Sequence, residues 1–200
     1  MLELLTGSGL ALAAGLNAYI PLIVLGLAGR YLDFVDLPSA AQWLSNGWVL
    51  AILTALLVVE VIADKIPVVD TVNDSIQTVI RPTAGGIAFG TGAASETAVV
   101  TDPASFFSSS AWIPIAIGVV LALVVHGTKA LLRPPVNAVS GGVGAPVMSS
   151  IEDAGSVALA LFALLAPVLV LAMIVAVGIA VWLGYRRLTS RRHRRRTAVT

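Results

Sequence analysis

Acidic and basic side chains interrupt the apolar runs of this chain at spacings that suit single faces of helices. Glu60 and Asp64 are four residues apart, so a helix places both carboxylates on one side. His126, Lys129 and Arg133 follow one another at i, i+3 and i+7 and share one side of a second helix. An unpaired charge inside a membrane costs about 2.5 to 3.5 kcal/mol on insertion scales. The spacing therefore predicts that the two groups of opposite charge neutralise each other inside a bundle.

A second polar stripe begins after Pro67. Its members recur at i, i+4, i+7 and i+11, and apolar residues fill the other side, which predicts an amphipathic helix over about Val68 to Ile80. The following stretch, Pro82 to Val100, is rich in glycine and hydroxyl groups, which favours a separate short or re-entrant helix over a lipid-facing span. The polar stripe consists of Asp70, Asp74, Gln77 and Arg81.

Composition places the chain among integral membrane proteins. Of its 200 residues, 58% are apolar and 12% are charged, with a mean hydropathy of +0.95, whereas soluble domains are about 25% charged. Cysteine is missing from the sequence, so disulfides and thiolate sites are excluded. No basic segment precedes the first apolar run, so we expect that run to remain in the mature protein.

The basic residues are concentrated at the carboxyl end. Seven of the twelve Lys and Arg residues follow position 185, and the positive-inside rule then predicts a cytoplasmic tail, residues 186–200, that is disordered and touches anionic lipid headgroups. A nucleic-acid arm is the rival interpretation, but no aromatic residue is interleaved to stack on bases. The tail cations are Arg186, Arg187, Arg191, Arg192, Arg194, Arg195 and Arg196.

The fold class predicted from these runs is an all-α, polytopic membrane bundle. Four stretches are apolar enough to span, and the Gly-rich helix is re-entrant or a fifth crossing. We expect a membrane domain over residues 1–185, and broken, charged segments at similar places in residues 1–100 and 101–185 raise the hypothesis of an inverted repeat. The predicted spans are Gly7–Gly29, Trp48–Ile66, Trp112–Leu132 and Ala154–Gly184.

Breaks and connections follow from the residues between these runs. Asn17 and Pro21 predict a kink in the first span, and Leu32–Gly47 is expected to be a polar loop. Consecutive prolines and the SGGVGAP run predict that the third span ends early, and a capping-box spacing predicts that the last helix starts near Ser149. The residues that carry the last two expectations are Pro134, Pro135, Ser140–Pro146, Ser149, Glu152 and Asp153.

Several of these motifs resemble one bacterial membrane-protein family, domain of unknown function 4126. The resemblance covers roughly Gly7 to Leu171 and implies a compact multi-span protein of the bacterial inner membrane, with no activity that carries over. It rests on GLNAY at Gly15–Tyr19, EVIADKIPVVDTVND at Glu60–Asp74, RP at Arg81 and Pro82, HGTKALLR at His126–Arg133, and the pair Glu152 and Asp153.

Motifs of enzymes and metal sites are missing from the sequence. It contains no HExxH, EF-hand or Glu-x-x-His pattern, and SGGVGAP is not followed by the Gly-Lys-Ser/Thr of a P-loop. We therefore expect neither a cofactor nor a metal, and no enzyme activity. A lipid-phosphate enzyme that uses His126, Lys129 and Arg133 around a phosphate stays a minor alternative.

Two main functions remain open on the sequence beside this minor alternative. The charged groups either line the path of a small transporter or channel for an ion or an anionic solute, or they are structural ion pairs in a membrane assembly protein that binds itself or a larger membrane partner. In the transport hypothesis Asp64 and His126 exchange protons, because burial favours the neutral form of both groups. The candidate pathway residues are Asn17, Glu60, Asp64, Lys65, Asp70, Asp74, Arg81, His126, Lys129, Arg133, Glu152 and Asp153.

Overall fold

The chain is helical throughout the part that its computed structural model describes, which is residues 2–93, 110, 112–141, 143–173 and 175. No strand occurs in these ranges, so the predicted all-α class is confirmed. The elements are α1 (Leu2–Leu16), α2 (Tyr19–Tyr31), a 3-10 helix (Ser39–Ser45), α3 (Gly47–Ala63), α4 (Pro67–Ala93), α5 (Trp112–Ser140) and α6 (Gly144–Leu165).

The first apolar run is broken where the sequence predicts a kink. Helix α1 ends at Leu16 and α2 starts at Tyr19. The Asn17 side-chain oxygen accepts hydrogen bonds from the amides of Tyr19, at 3.0 Å, and Ile20, at 3.3 Å. The first amides of a helix have no partner within it, so Asn17 acts as the cap that allows α2 to begin.

The stretch between α2 and α3 is more ordered than the predicted polar loop. It contains the 3-10 helix, whose Ala41 and Leu44 are buried against α2. Gly26 of α2 is needed here, because a Cβ at that position would collide with the carbonyl oxygen of Leu44. Ala41 and Leu44 are three residues apart and so lie on one side of the 3-10 helix, which explains why this segment packs against α2 instead of remaining a solvated loop.

Helix α4 corrects the prediction of an amphipathic helix followed by a separate Gly-rich one. It runs unbroken from Pro67 to Ala93, with Pro82 in its interior. Close packing compensates for the hydrogen bond that Pro82 removes: Gly85 lies so near α5 that a Cβ would meet Gly118 and Ala122. The predicted remainder, residues 94–100, lies outside the described residues.

Helix α5 corrects a second prediction based on proline. It continues through Pro134 and Pro135 to Ser140, since prolines are tolerated in membrane helices whose neighbours support the backbone. The chain turns at Gly141, whose φ of 62° is accessible to glycine at little cost.

The start of the last helix also differs from the prediction. Helix α6 begins at Gly144, whose amide donates to the Ser140 hydroxyl at 2.8 Å, so the capping-box start at Ser149 is wrong. Ser149 and Glu152 lie inside α6 instead. Helix α6 ends at Leu165, and helical geometry resumes over residues 167–173, so the last apolar run is interrupted before Pro167. Most of the run beyond it lies outside the described residues.

Helix α1 lies at the centre of the bundle and packs against α4, α5 and α6. Small residues permit this: Ala13 and Ala14 are fully buried, and a Cβ at Gly15 would meet Val125 of α5. Gly9 lies similarly close to Ala163 of α6. The close approach of several helices around α1 is what brings their polar faces together.

Helix α4 buries its polar face and exposes its apolar face, which is the reverse of an amphipathic helix in a soluble protein. Gln77 and Arg81 on its polar face are 2% and 0% exposed, whereas Val72 and Val79 on its apolar face are 62% and 71% exposed. A polar interior with an apolar exterior suits hydrocarbon rather than water as the surrounding medium.

Two described helices, α5 and α6, are long and apolar enough to cross a membrane. A third span is present if the 3-10 helix and α3, which meet at a bend of 68°, count as one. Helices α1 and α2 are apolar but shorter. These features indicate a membrane protein, while four spans and the inverted repeat stay predictions.

Candidate functional site

Seven ionisable side chains from four helical segments converge in the bundle and form what we call the charged cluster. The end of α3 supplies two carboxylates, α4 supplies an acid and an arginine, α5 supplies two cations, and α6 supplies one carboxylate. Six of the seven are at most 9% exposed at the side chain, and Asp74 is 18% exposed. The charged cluster consists of Glu60, Asp64, Asp74, Arg81, Lys129, Arg133 and Glu152.

Asp64 is the centre of the charged cluster. Its Oδ2 lies 3.1 Å from both Lys129 Nζ and Arg133 Nη2, and 3.6 Å from Arg81 Nη2. Its Oδ1 accepts a hydrogen bond of 2.7 Å from Asn73. Asp64 is the C-cap of α3. The helix dipole disfavours an anion at this end of a helix, and the contacts with three cations offset that unfavourable interaction. The predicted pairing with Lys129 and Arg133 is present for Asp64, but it is wrong for Glu60, whose described ion pair is with Arg81.

Glu152 and Asp74 complete the paired side of the cluster. Glu152 Oε2 lies 2.9 Å from Lys129 Nζ and 2.9 Å from Arg133 Nη2, so each of these cations touches both Asp64 and Glu152. Asp74 Oδ2 is 3.7 Å from Arg133 Nη1. Lys129 and Arg133 are one helical turn apart, which is why one pair of acids serves both.

Glu60 lies deeper and has fewer partners. Its Oε1 accepts a hydrogen bond of 2.8 Å from Arg81 Nη2, and Arg81 also faces Asp64. Its Oε2 is buried and accepts no hydrogen bond from the described residues. Glu60 is 1% exposed and Arg81 is fully buried, so this pair is shielded from solvent.

His126 is held in a single protonation state by its neighbours. Arg81 Nη1 lies 3.2 Å from His126 Nδ1, and because an arginine only donates, Nδ1 must accept and carries no proton. Nε2 then carries the proton and donates to the Thr78 hydroxyl at 3.1 Å. Thr78 donates in turn to the carbonyl oxygen of Asp74 at 2.9 Å. His126 is therefore neutral, and both its nitrogens bind groups other than Asp64.

Two predicted pathway residues form a separate contact. Asn17 Nδ2 donates to Asp153 Oδ1 at 3.0 Å, which ties the break between α1 and α2 to α6. The Asn17 oxygen is already engaged by the amides of α2. This arrangement supports a packing role for Asn17.

Two others lie apart from the described cluster contacts. Lys65 Nζ donates to the carbonyl oxygen of Val61 in the last turn of α3 at 3.2 Å. The side chain of Asp70 is outside the described part of the structure.

The candidate pathway residues named from the sequence do not include three polar residues around the charged cluster, although Gln77 was placed in the polar stripe. Asn73 binds Asp64, Thr78 binds His126, and Gln77 is 2% exposed with an Oε1 that accepts no hydrogen bond from the described residues. A signal was available, because Asn73, Gln77 and Arg81 recur at intervals of four and so continue the polar face of α4.

The charges of the cluster do not balance. Four carboxylates face three cations in the described residues, and His126 contributes none. In a low-dielectric interior an uncompensated charge is expensive. In the same residues no three acidic or histidine side chains are grouped to hold a metal ion.

Comparison with known families is consistent with this membrane architecture. The sequence model of the family described as Domain of unknown function (DUF4126) matches residues 4–187, which extends beyond the Gly7–Leu171 range of the motifs. Searches of curated proteins and of solved structures give no match. Since the family match spans most of the chain, the protein belongs to the family Domain of unknown function (DUF4126).

Proposed function

We propose that this protein is a small membrane transporter that moves protons through its charged cluster. The observation that carries the proposal is the excess of carboxylates over cations in a buried site whose histidine is neutral. A network that served packing alone would gain from equal numbers of both signs, because every unbalanced charge costs free energy in the bundle. Binding of one proton cancels the extra negative charge of the site. Binding and release of that proton would be the transport step.

The charge balance favours a cation over the anionic solute that was also considered. Lys129 and Arg133 each contact two carboxylates within 3.1 Å, so an incoming anion would have to displace Asp64 or Glu152. The same contacts argue against the lipid-phosphate enzyme. Asp64 and Glu152 already occupy Lys129 and Arg133, and these carboxylates would repel a phosphate that approached the two cations. The geometry gives neither alternative support.

The orientation that accompanies this proposal places the protein in the bacterial inner membrane. Seven arginines follow position 185, and they are retained in the cytoplasm by the positive-inside rule and bind anionic headgroups there. A reporter that is active on only one side of the membrane, fused after residue 200, tests the orientation. Activity on the outer side would contradict it.

Proton flux into proteoliposomes tests the proposed function. A potassium diffusion potential drives protons, and an entrapped pH dye reports their entry. We expect flux in the wild type and none above protein-free liposomes for Lys129→Met or Asp64→Asn, because each variant removes one partner of the buried ion pair between Asp64 and Lys129. Lys65→Met is the matched control, since the Lys65 ammonium binds only a backbone carbonyl in the described contacts, and it should retain flux. Full flux in both cluster variants would end the transport proposal.

The dense pairing around Asp64 favours a second candidate, a non-transporting assembly protein in which the charges are structural. Under this alternative a charge swap between Asp64 and Lys129 restores the expression lost in either single reversal, and the wild type shows no flux. Co-purification of a stoichiometric membrane partner would support the assembly role. Flux that depends on Lys129 but not on Lys65 would exclude a solely structural role.

A further inference from the structure

The carboxylates of the charged cluster differ in how well their charge is compensated. Asp64 contacts three cations and Glu152 contacts two. Asp74 contacts Arg133 and is the most exposed member, so water shares in its solvation. Among the described residues Glu60 has one ion pair, with Arg81, which also contacts Asp64, and Glu60 is almost fully buried. Glu60 is therefore the carboxylate whose negative charge costs most.

Glu60 has a buried oxygen atom without a described donor. Its Oε2 is inaccessible to solvent and accepts no hydrogen bond from the described residues, while Arg81 binds its other oxygen. Tyr19 of α2 lies within electrostatic reach of Glu60. Buried polar atoms in native structures usually have a hydrogen-bond partner, so the state of this oxygen needs an explanation.

We propose that Glu60 is the proton-binding group of the charged cluster and is a neutral carboxylic acid in the resting protein, with the proton on Oε2 taken from bulk water. Oε1 keeps its hydrogen bond from Arg81 in this state. This inference deepens the proposed function and shares with it the charge balance of the cluster.

The groups that face Glu60 agree with this assignment. Arg81 approaches from α4, Lys129 from α5, Asp64 from the same helix, and Tyr19 from α2. The two cations are also bound to Asp64, which competes for them. With Glu60 neutral, three carboxylates remain against Arg81, Lys129 and Arg133, and the cluster carries no net charge.

Infrared spectroscopy of the full-length protein in lipid nanodiscs tests the proposal. At pH 7 we expect a carbonyl stretch of a protonated carboxyl group, which shifts in D₂O and is lost in Glu60→Gln. Glu3→Gln is the matched control, because Glu3 is an exposed residue of α1, and its spectrum should keep the band. A wild type without the band, or a band that persists in Glu60→Gln, would overturn the proposal.

The folded state of the variant keeps the test decisive. Glutamine reproduces the shape of a neutral Glu60, so Glu60→Gln should remain folded on size exclusion, and failure to fold would itself contradict a neutral Glu60.

The spectroscopic result is separable from transport. A protonated Glu60 in a protein without flux refutes the proposed function alone. Flux in a protein whose Glu60 is ionised refutes this inference alone.

Discussion

Two regions of the charged cluster differ in how their charges are satisfied. In the paired region, Asp64 and Glu152 share Lys129 and Arg133 through contacts of 2.9 to 3.1 Å. In the Glu60 region, one arginine serves two acids, the histidine is neutral, and buried oxygens of Glu60 and Gln77 have no donor among the described residues. This difference supports our proposal that the paired region holds the helices together and that Glu60 changes protonation.

The energetics of buried charges explain why both regions occur together. Desolvation of an ion costs several kcal/mol in a protein interior, and pairing offsets the cost only when the geometry is good and the remaining lone pairs are bound. The paired region meets this condition, since both oxygens of Asp64 are engaged. The Glu60 region does not meet it, so its charge is the easiest to neutralise.

The largest expected effect comes from breaking the paired region. Asp64→Asn leaves Lys129 and Arg133 with an uncompensated charge, and loss of one partner of a buried pair costs about 3 to 5 kcal/mol of unfolding free energy. Unfolding titrations in mixed detergent micelles measure this change. Asp33→Asn, at an exposed position, is the control and should have little effect. Equal stability of the two variants would contradict a structural role for the pairs.

Separating the helices that carry the two regions should have the next largest effect. A Cβ at Gly118 of α5 would collide with the carbonyl oxygen of Gly85 and with Phe89 on α4. Gly118→Val should therefore destabilise the bundle by about 1 to 3 kcal/mol through overpacking, measured in the same titration. Gly127→Ala is matched to it, because a Cβ at Gly127 meets nothing within 4 Å. A Gly118 variant as stable as the Gly127 variant would be inconsistent with the close contact of α4 and α5.

A smaller loss is expected outside the cluster. Asn17→Ala removes the cap of α2 and the hydrogen bond to Asp153, which should cost about 1 kcal/mol or somewhat more. Flux should persist, because Asn17 does not touch the charged cluster in the described contacts. Loss of flux in a folded Asn17→Ala protein would contradict this and would show that Asn17 is part of the proton pathway.

The smallest change in stability is expected in the Glu60 region. Glu60→Gln replaces a neutral acid with a neutral amide of the same shape, so its unfolding free energy should stay within about 1 kcal/mol of the wild type, the size of one neutral hydrogen bond. A loss as large as that of Asp64→Asn would show that Glu60 is an ionised partner of Arg81, and the two regions would then be alike.

Much of the cluster could be predicted from spacing, because residues of one face of a helix stay together wherever the helix packs. His126, Lys129 and Arg133 share one face of α5 as expected, and Asp64 meets the two cations. Which acid binds which cation could not be predicted, since it depends on helix crossings set by residues such as Gly85 and Gly118.

The errors in helix boundaries have a common physical origin. Pro82, Pro134 and Pro135 favour a break locally, yet α4 and α5 continue through them because neighbouring helices support the backbone. The capping-box spacing at Ser149 was outweighed by a turn at Gly141 that lets α6 start earlier. Tertiary packing, which spacing along the chain does not encode, decided each case.

Proton flux in Glu60→Gln proteoliposomes tests the central claim most directly. If the paired region holds the fold and Glu60 carries the exchangeable proton, the variant should be folded, with the stability of the wild type, and should conduct no protons above protein-free liposomes, while Glu3→Gln conducts normally. Wild-type flux in folded Glu60→Gln protein would contradict the account, because protons would then cross without the group assigned to bind them.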